Sequence, residues 1–542
     1  MTIQPWSSHY DPGVPRHIDY PPVPVFHFLN ESARLYPDLP CTIINDTVIT
    51  YSAMDKVTDQ IARALVVLGV RKGDRLGIFL PNNPDFVKIY YGILKAGGVV
   101  VATNPAYTAA ELEYQVNDSG LAIMFGTASS YEKLKAVRLR TALKTLIVTG
   151  AEPDLVLEQG DLLLEQLPAQ TIPDLPLPPV STADVALFQY SGGTTGISKG
   201  AVVLHRNLVS NTLQFRSWMV NLQPGQETSL LAIPLYHVYG MVCGMSLSMA
   251  LGAGMVLIPS ARNMDGLLAN IQKHHPTYFP AVPTLYNAIN NHPDVQAGKY
   301  DLSSIKACIS GSAALLKETK EKFEHLTGGK ICEGYGLSEA PTATHCNPLL
   351  GVNKIGSIGL PLPDVDCRIV DLETGQINLP TGEVGELILR GPQVMQGYHN
   401  MPGETALALR DGWLFTGDLA RMDADGYFTL VDRKKELIKP DGIQVWPREV
   451  EEVIASHPQV REVAVAGLPD EYHGEAVKAW VVLKPGQPLD AADIRLWCLE
   501  KLAPFKIPSR IEFRSELPHS TVGKVLRREL VRQELEKGSG SS

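Results

Sequence analysis

The 542-residue sequence has no basic excess: 48 lysines and arginines stand against 58 aspartates and glutamates, a formal net charge of -10. That excludes a broad phosphate-neutralising surface and argues against a nucleic-acid partner. Cysteine is sparse. Seven residues lie scattered at Cys41, Cys243, Cys308, Cys332, Cys346, Cys367 and Cys498, an odd number with no Cys-x-x-Cys spacing. This excludes a disulfide framework and a zinc ribbon, and fits reduced thiols in a cytoplasmic protein. Cys332, His345 and Cys346 lack the spacing of a metal site. Met1–Pro15 has neither a basic region nor an apolar core, so it does not read as a secretory signal. No long apolar run is uninterrupted either. The most apolar stretch, Met241–Pro259, is broken by Gly244, Gly252 and Gly254, and reads as a buried helix followed by a strand over Met255–Ile258. No transmembrane segment is expected, while peripheral membrane contact and a homodimer stay compatible with the sequence.

What is present is an α/β pattern too long for one hydrophobic core. Leu76–Leu80, Val99–Ala102 and Leu121–Phe125 read as strands, alternating with helices over Asp85–Lys95 and Ala109–Val116. That βαβαβ rhythm predicts a parallel sheet with helices on both faces. It recurs after Val185 and from Thr277 to Ile331, and the proline-rich stretch Glu152–Ala183 reads as a connector between two sheet-based lobes. After Gly356 the texture turns to β, with strand-like runs at Val365–Val370, Gly385–Arg390 and Tyr427–Val431 that suggest a small barrel. From Glu449 onward the chain is α+β. The expected architecture is a large N-terminal domain (1–432) of two sheet-based lobes plus a small β-barrel. A smaller, mobile C-terminal domain follows (433–537), and 538–542 forms a flexible tail.

The richest chemistry lies in Tyr190-Ser191-Gly192-Gly193-Thr194-Thr195-Gly196-Ile197-Ser198-Lys199-Gly200. Its glycines free the backbone to present N–H groups, its hydroxyls add donors and Lys199 adds charge, a set suited to a polyphosphate. It is not a Walker A loop, because Ser198 precedes the lysine and Gly200 follows it. A polar turn after a strand is the bland alternative, and this density of donors weighs against it.

This loop resembles the signature of the adenylate-forming superfamily of acyl-CoA synthetases, luciferases and peptide-synthetase adenylation domains. Its Ser191-Gly192-Gly193 start is similar to bacterial long-chain fatty acid–CoA ligases. Further motifs follow in family order from about Val25 to Glu534. Ser310-Gly311-Ser312-Ala313-Ala314 resembles the turn lining the adenine and acyl pockets. Glu333-Gly334-Tyr335-Gly336-Leu337-Ser338-Glu339 resembles the segment that stacks on adenine and holds Mg²⁺ through its last glutamate, with Thr194 as a second metal contact. Asp418 and Arg433 match the ribose contacts, Lys435 the hinge, and Lys439, Gly442 and Gln444 the segment lining the CoA path. Lys524 matches the lysine of adenylation. The resemblance implies an AMP-forming acid–thiol ligase that uses ATP and CoA, with Lys524, Lys199, Thr194, Glu339 and His237 as its catalytic set. Amino-acid-activating relatives place an aspartate where His237 falls in Pro234–Gly240, so an α-amino acid is not the expected substrate. An apolar pocket lined by His237, Tyr239, Met241, Val242, Phe279, Val282, Ala313 and Ala314 is expected to take a hydrophobic carboxylic acid, and the resemblance implies a fatty acid of medium or long chain. A 4-coumarate-like aryl acid is the runner-up. A luciferase-like enzyme and a non-catalytic ATP-binding protein are the alternatives from other classes.

Overall fold

A computed structural model describes residues 4–150, 154–170, 175–191, 198–470, 473–486, 488–519 and 525–539. The chain divides into two compact units, one holding residues up to Asp366 together with Arg390–Leu414, the other Cys367–Leu389 together with Phe415 onward.

The first unit contains two large sheets. One has eight strands, in the order Gly397–Tyr398, Lys199–Leu204, Val185–Ser191, Val99–Ala102, Arg75–Phe79, Ile123–Thr127, Thr145–Thr149 and Leu162–Leu163. The middle strands are parallel, as the βαβαβ rhythm requires. The other sheet has nine strands, and Thr228–Leu231, Gly254–Leu257, Tyr278–Ala281, Ala307–Ser310 and Lys330–Leu337 form its parallel centre. Helices Tyr51–Val67, Pro84–Lys95 and His205–Trp218 fill a shared core with inward residues of both sheets, among them Ile61, Ile89, Leu208, Val100 and Met255.

Local signals explain the helix limits. Pro84–Lys95 starts where the Asn83 side chain accepts from the Phe86 N–H at 2.8 Å. Ala109–Ser119 starts at a Thr108–Glu111 capping box and ends at Gly120, whose φ of +63° closes the last turn. Tyr239–Ser246 is a buried π-helical stretch running into Leu247–Leu251 and then the strand Gly254–Leu257, as the glycine-broken apolar run implied. The proline-rich stretch corrects the connector reading. The strands on either side of it, Thr145–Thr149 and Val185–Ser191, belong to the same eight-stranded sheet, and Leu162–Leu163 adds that sheet's edge. Leu175 O and Pro179 O accept from Arg63 Nε (3.3 Å) and Lys72 Nζ (3.0 Å), so residues 175–179 lie against helix Tyr51–Val67 and the turn that follows it.

The second unit holds most of a half-barrel sheet in which Asp366–Val370, Gly385–Arg390 and Trp413–Met422 lie side by side and Phe428–Arg433 pairs with Trp413–Met422. It also carries the sheet Val460–Asp470, Gly474–Leu483 and Arg510–Phe513, covered by helices Pro447–Ala455 and Ala491–Leu499 around a core of Val450, Ile454, Val465 and Ile494. Among the described residues no helix is long and apolar enough to cross a membrane.

Candidate functional site

The phosphate-loop sequence is held by a hairpin. Val185–Ser191 pairs antiparallel with Lys199–Leu204, with Tyr190 opposite Gly200 and Ser191 opposite Lys199. Gly192, Gly193, Thr194, Thr195 and Gly196 lie outside the described residues, as does Lys524. Both ends of the hairpin loop are fastened to one helix. Tyr190 Oη donates to Asp118 Oδ2 at 2.6 Å, and Tyr114 Oη donates to Ser198 O at 2.8 Å. Asp118 and Tyr114 are four residues apart on Ala109–Ser119, hence on one face. Burial and the Asp118 carboxylate push the Tyr190 phenol far above its usual range, so it stays protonated and able to donate to Asp118.

Lys199 leaves the hairpin stem with a largely buried side chain. Its ammonium pairs with Glu404 and lies 5.3 Å from the ring centroid of Tyr398. The same tyrosine donates its hydroxyl to Glu339 Oε1 at 2.6 Å. Glu339 stands at the tip of a second hairpin, where Lys330–Leu337 pairs antiparallel with Ala340–Cys346 and Leu337 faces Ala340. Ser338 occupies the other tip position. Gly336 is required in this hairpin, because a Cβ there would lie 1.4 Å from Thr342 O. Gly334 faces Cys346, and Tyr335 is buried with its ring 5.8 Å from that of His345. Lys199 and Glu339, far apart in sequence, are thus joined through Tyr398. That residue and Glu404 were not singled out as site residues from the sequence.

The turn after Ala307–Ser310 lies beside these groups. Glu333 is buried and its Oε1 accepts from Leu315 N at 3.3 Å, which ties the turn to the strand leading to Tyr335. Ser312 adopts φ +72°, and Ser312, Ala313 and Ala314 are exposed. Tyr239 underlies Gly311, where a Cβ would meet its ring at 3.3 Å, and its hydroxyl reaches Ile309 O (2.7 Å) and Ala281 O (3.0 Å). Val282 is half-buried at the start of helix Pro283–Asn290. His237 is also half-buried. Its Nδ1 accepts from the Tyr239 N–H at 3.3 Å, and burial pushes its imidazole down to about 4, so it is neutral at pH 7. Met241, Val242 and Phe279 correct part of the expected pocket wall. All three are fully buried in core packing, Phe279 against Tyr286 and Phe323.

In the second unit Asp418 and Arg433 face each other across paired strands, Arg433 Nε to Asp418 Oδ1 at 2.6 Å. Asp418 is buried and Arg433 reaches outward. Lys435 is exposed just beyond. Ile438 and Val445 exchange backbone hydrogen bonds (3.0 and 2.8 Å), which closes a loop carrying Lys439, Gly442 and Gln444. Lys439 N donates to Glu475 Oε2 at 2.6 Å, and Asp441 within that loop bonds His473 Nδ1 at 2.9 Å.

The donor set suits a magnesium–nucleotide. Mg²⁺ favours one or two carboxylates plus phosphate oxygens and water, and Tyr398 occupies only one of the two Glu339 oxygens. The family pattern described as AMP-binding enzyme matches residues 29–399, and that of the AMP-binding enzyme C-terminal domain matches 449–524. The chain is 41% identical to the long-chain-fatty-acid–CoA ligase of Bacillus subtilis (strain 168), covering 98% of each. It is 36% identical to that of Yersinia pestis, covering 98% of this chain and 99% of the other. It is also 34% identical to a feruloyl-CoA synthase of Amycolatopsis sp, covering 92% and 97%. Among solved structures, an anthranilate CoA ligase in complex with anthranoyl-AMP matches with a TM-score of 0.86 at 28% identity, covering 96% of this chain and 98% of that one.

Proposed function

The chain belongs to the AMP-binding enzyme family, and on that premise we propose that it is an ATP-dependent, AMP-forming ligase converting medium- and long-chain fatty acids to CoA thioesters. The observation that carries the reading is the meeting of Lys199 and Glu339 at Tyr398, with Lys199 following a run of glycines and hydroxyls in the sequence. In the first half-reaction a carboxylate oxygen of the acid bonds to the α-phosphorus of ATP as the bond to pyrophosphate breaks. In the second the thiol of CoA attacks the acyl carbon and AMP leaves. Two anions must meet, so oriented cations and donors lower the barrier without a nucleophilic side chain.

Lys199, Lys524, Thr194 and the N–H groups around Gly192, Gly193, Thr195 and Gly196 hold the phosphates. Glu339 with Thr194 would hold Mg²⁺, which screens phosphate charge when bound. Asp418 and Arg433 hold the ribose, and Gly334, Tyr335, Gly336, Ser338 and the Gly311–Ala313 turn hold the adenine end. His237, neutral, with Tyr239, Val282, Ala313 and Ala314 faces the acid. The proposed location is the cytoplasm, with peripheral membrane contact and a homodimer as proposed associations.

The test is release of AMP and pyrophosphate with CoA and acids from acetate to palmitate, with ferulate as the aryl arm. Each buried methylene adds about 0.8 kcal/mol, so kcat/KM should climb with chain length until the pocket is full. A profile flat from acetate to decanoate, preference for ferulate, or ADP as the product would overturn the reading.

A further inference from the structure

Residues 394–405 touch both charged groups of the phosphate site. Met395 N donates to Glu339 O at 2.8 Å. Gln396 N and His399 N donate to Val202 O (2.9 Å) and Gly200 O (2.8 Å), which sets Gly397 against Val202 and Tyr398 against Ala201 on the strand that starts at Lys199. From the other side Thr405 closes in. Its Oγ1 accepts from Tyr398 N at 2.9 Å, and a Cβ at Gly397 would meet its Cγ2 at 2.7 Å. The backbone of Tyr398 is therefore held on two sides, and its side chain extends between Glu339 and Lys199.

We infer that Tyr398 is a positioning residue that makes the two charged groups of the phosphate site depend on each other: its hydroxyl aims the Glu339 carboxylate and its ring seats the Lys199 ammonium. The inference rests on the ligase reading above. The two ends of the tyrosine act differently. The hydroxyl donates to Oε1 at 2.6 Å, a charge-assisted bond that restrains the carboxylate and would leave Oε2 for a divalent cation. The ring attracts the ammonium through its π face without accepting any of its three protons. Glu404, by contrast, accepts one of them. The tyrosine thus holds the lysine while leaving protons for a phosphate.

The two roles separate in a binding experiment. The full-length protein is titrated calorimetrically with a non-hydrolysable ATP analogue, once with Mg²⁺ and once with EDTA. Tyr398→Phe keeps the ring. It should leave the metal-free affinity unchanged and shrink the affinity gained on adding Mg²⁺ about tenfold, the scale of one hydrogen bond to a charged group. Tyr398→Leu removes the ring as well, and should also weaken metal-free binding several-fold. Glu339→Gln should abolish the metal-dependent gain and make Tyr398→Phe silent when the two are combined. Equal losses with and without Mg²⁺ in Tyr398→Phe would mark a merely structural tyrosine and overturn the inference, as would a variant that matches the parent in both arms. If the parent binds no ATP analogue at all, the ligase reading fails with it. If the parent binds and gains from Mg²⁺ while Tyr398→Phe is unchanged, the inference alone fails.

Discussion

His205 and His237 are both pushed down to about 4 by burial, and His345 to about 3. An ordinary histidine titrates near 6.5, so the unfolded chain binds protons between these values that the folded chain refuses. The stability these rings contribute is complete above about pH 6.5 and is lost as pH falls towards 4. For His205, almost wholly buried with Nδ1 accepting from Val25 N at 3.2 Å, the loss amounts to about 3 kcal/mol across that window. Urea midpoints measured from pH 7.5 to 4.5 should fall, and fall less steeply in His205→Asn, which keeps an acceptor for Val25. Parallel curves for parent and variant would show that His205 does not contribute. Lys199 stood out in the sequence as a charge among glycines and hydroxyls, and Glu339 through the resemblance of its motif to the family's. Tyr398 and Glu404 did not, because their contacts span 59 and 205 residues, and no local pattern encodes such a meeting.

Helix Ala109–Ser119 shows how one element sets the geometry of a loop it does not adjoin in sequence. Tyr114 and Asp118 hold the two ends of the phosphate loop from a single helical face. Tyr114→Phe removes a hydrogen bond to Ser198 O, and Asp118→Ala strands the Tyr190 hydroxyl. Each should lower stability by about 1 kcal/mol and raise KM for ATP about three- to tenfold, while KM for the acid stays put. Measuring both constants decides it; a change confined to stability would show that the loop ends need no such fastening. The helix itself was legible from its apolar spacing, although the sequence reading stopped at Val116 and missed Gly120 as its C-terminal signal. The prolines of 152–183 were legible as irregular chain. Their return to the same sheet was not, since that depends on the strand partners Leu162–Leu163 and Val185–Ser191 find elsewhere.

Across the whole molecule, the chain enters the second unit twice, because Cys367–Leu389 joins Phe415 onward. The change to β texture after Gly356 was readable in the alternation of the strands. Their grouping with the C-terminal part was not, because it arises from Gly385–Arg390 pairing with Trp413–Met422 across the residues between them. The two half-reactions offer a test of the proposed hinge at Lys435. Lys524→Ala should slow acyl-adenylate formation by roughly 10²–10³-fold, the usual scale for one lost transition-state donor, and leave thioester formation from supplied acyl-AMP nearly intact. Gly442→Trp should do the reverse. Lys435→Pro should impair one half-reaction more than the other, since proline fixes φ at the hinge. Single-turnover kinetics on each half would reject the alternation if Lys524→Ala slowed both equally.

Ser191 and Lys199 face each other on the stem of an antiparallel hairpin, so the lysine is registered to the sheet rather than to the chain between them. A substitution among residues 192–197 is therefore expected to change the phosphate contacts while the strand pairing that seats Lys199 stays, so loss of ATP binding in such a variant would not by itself mean loss of the fold.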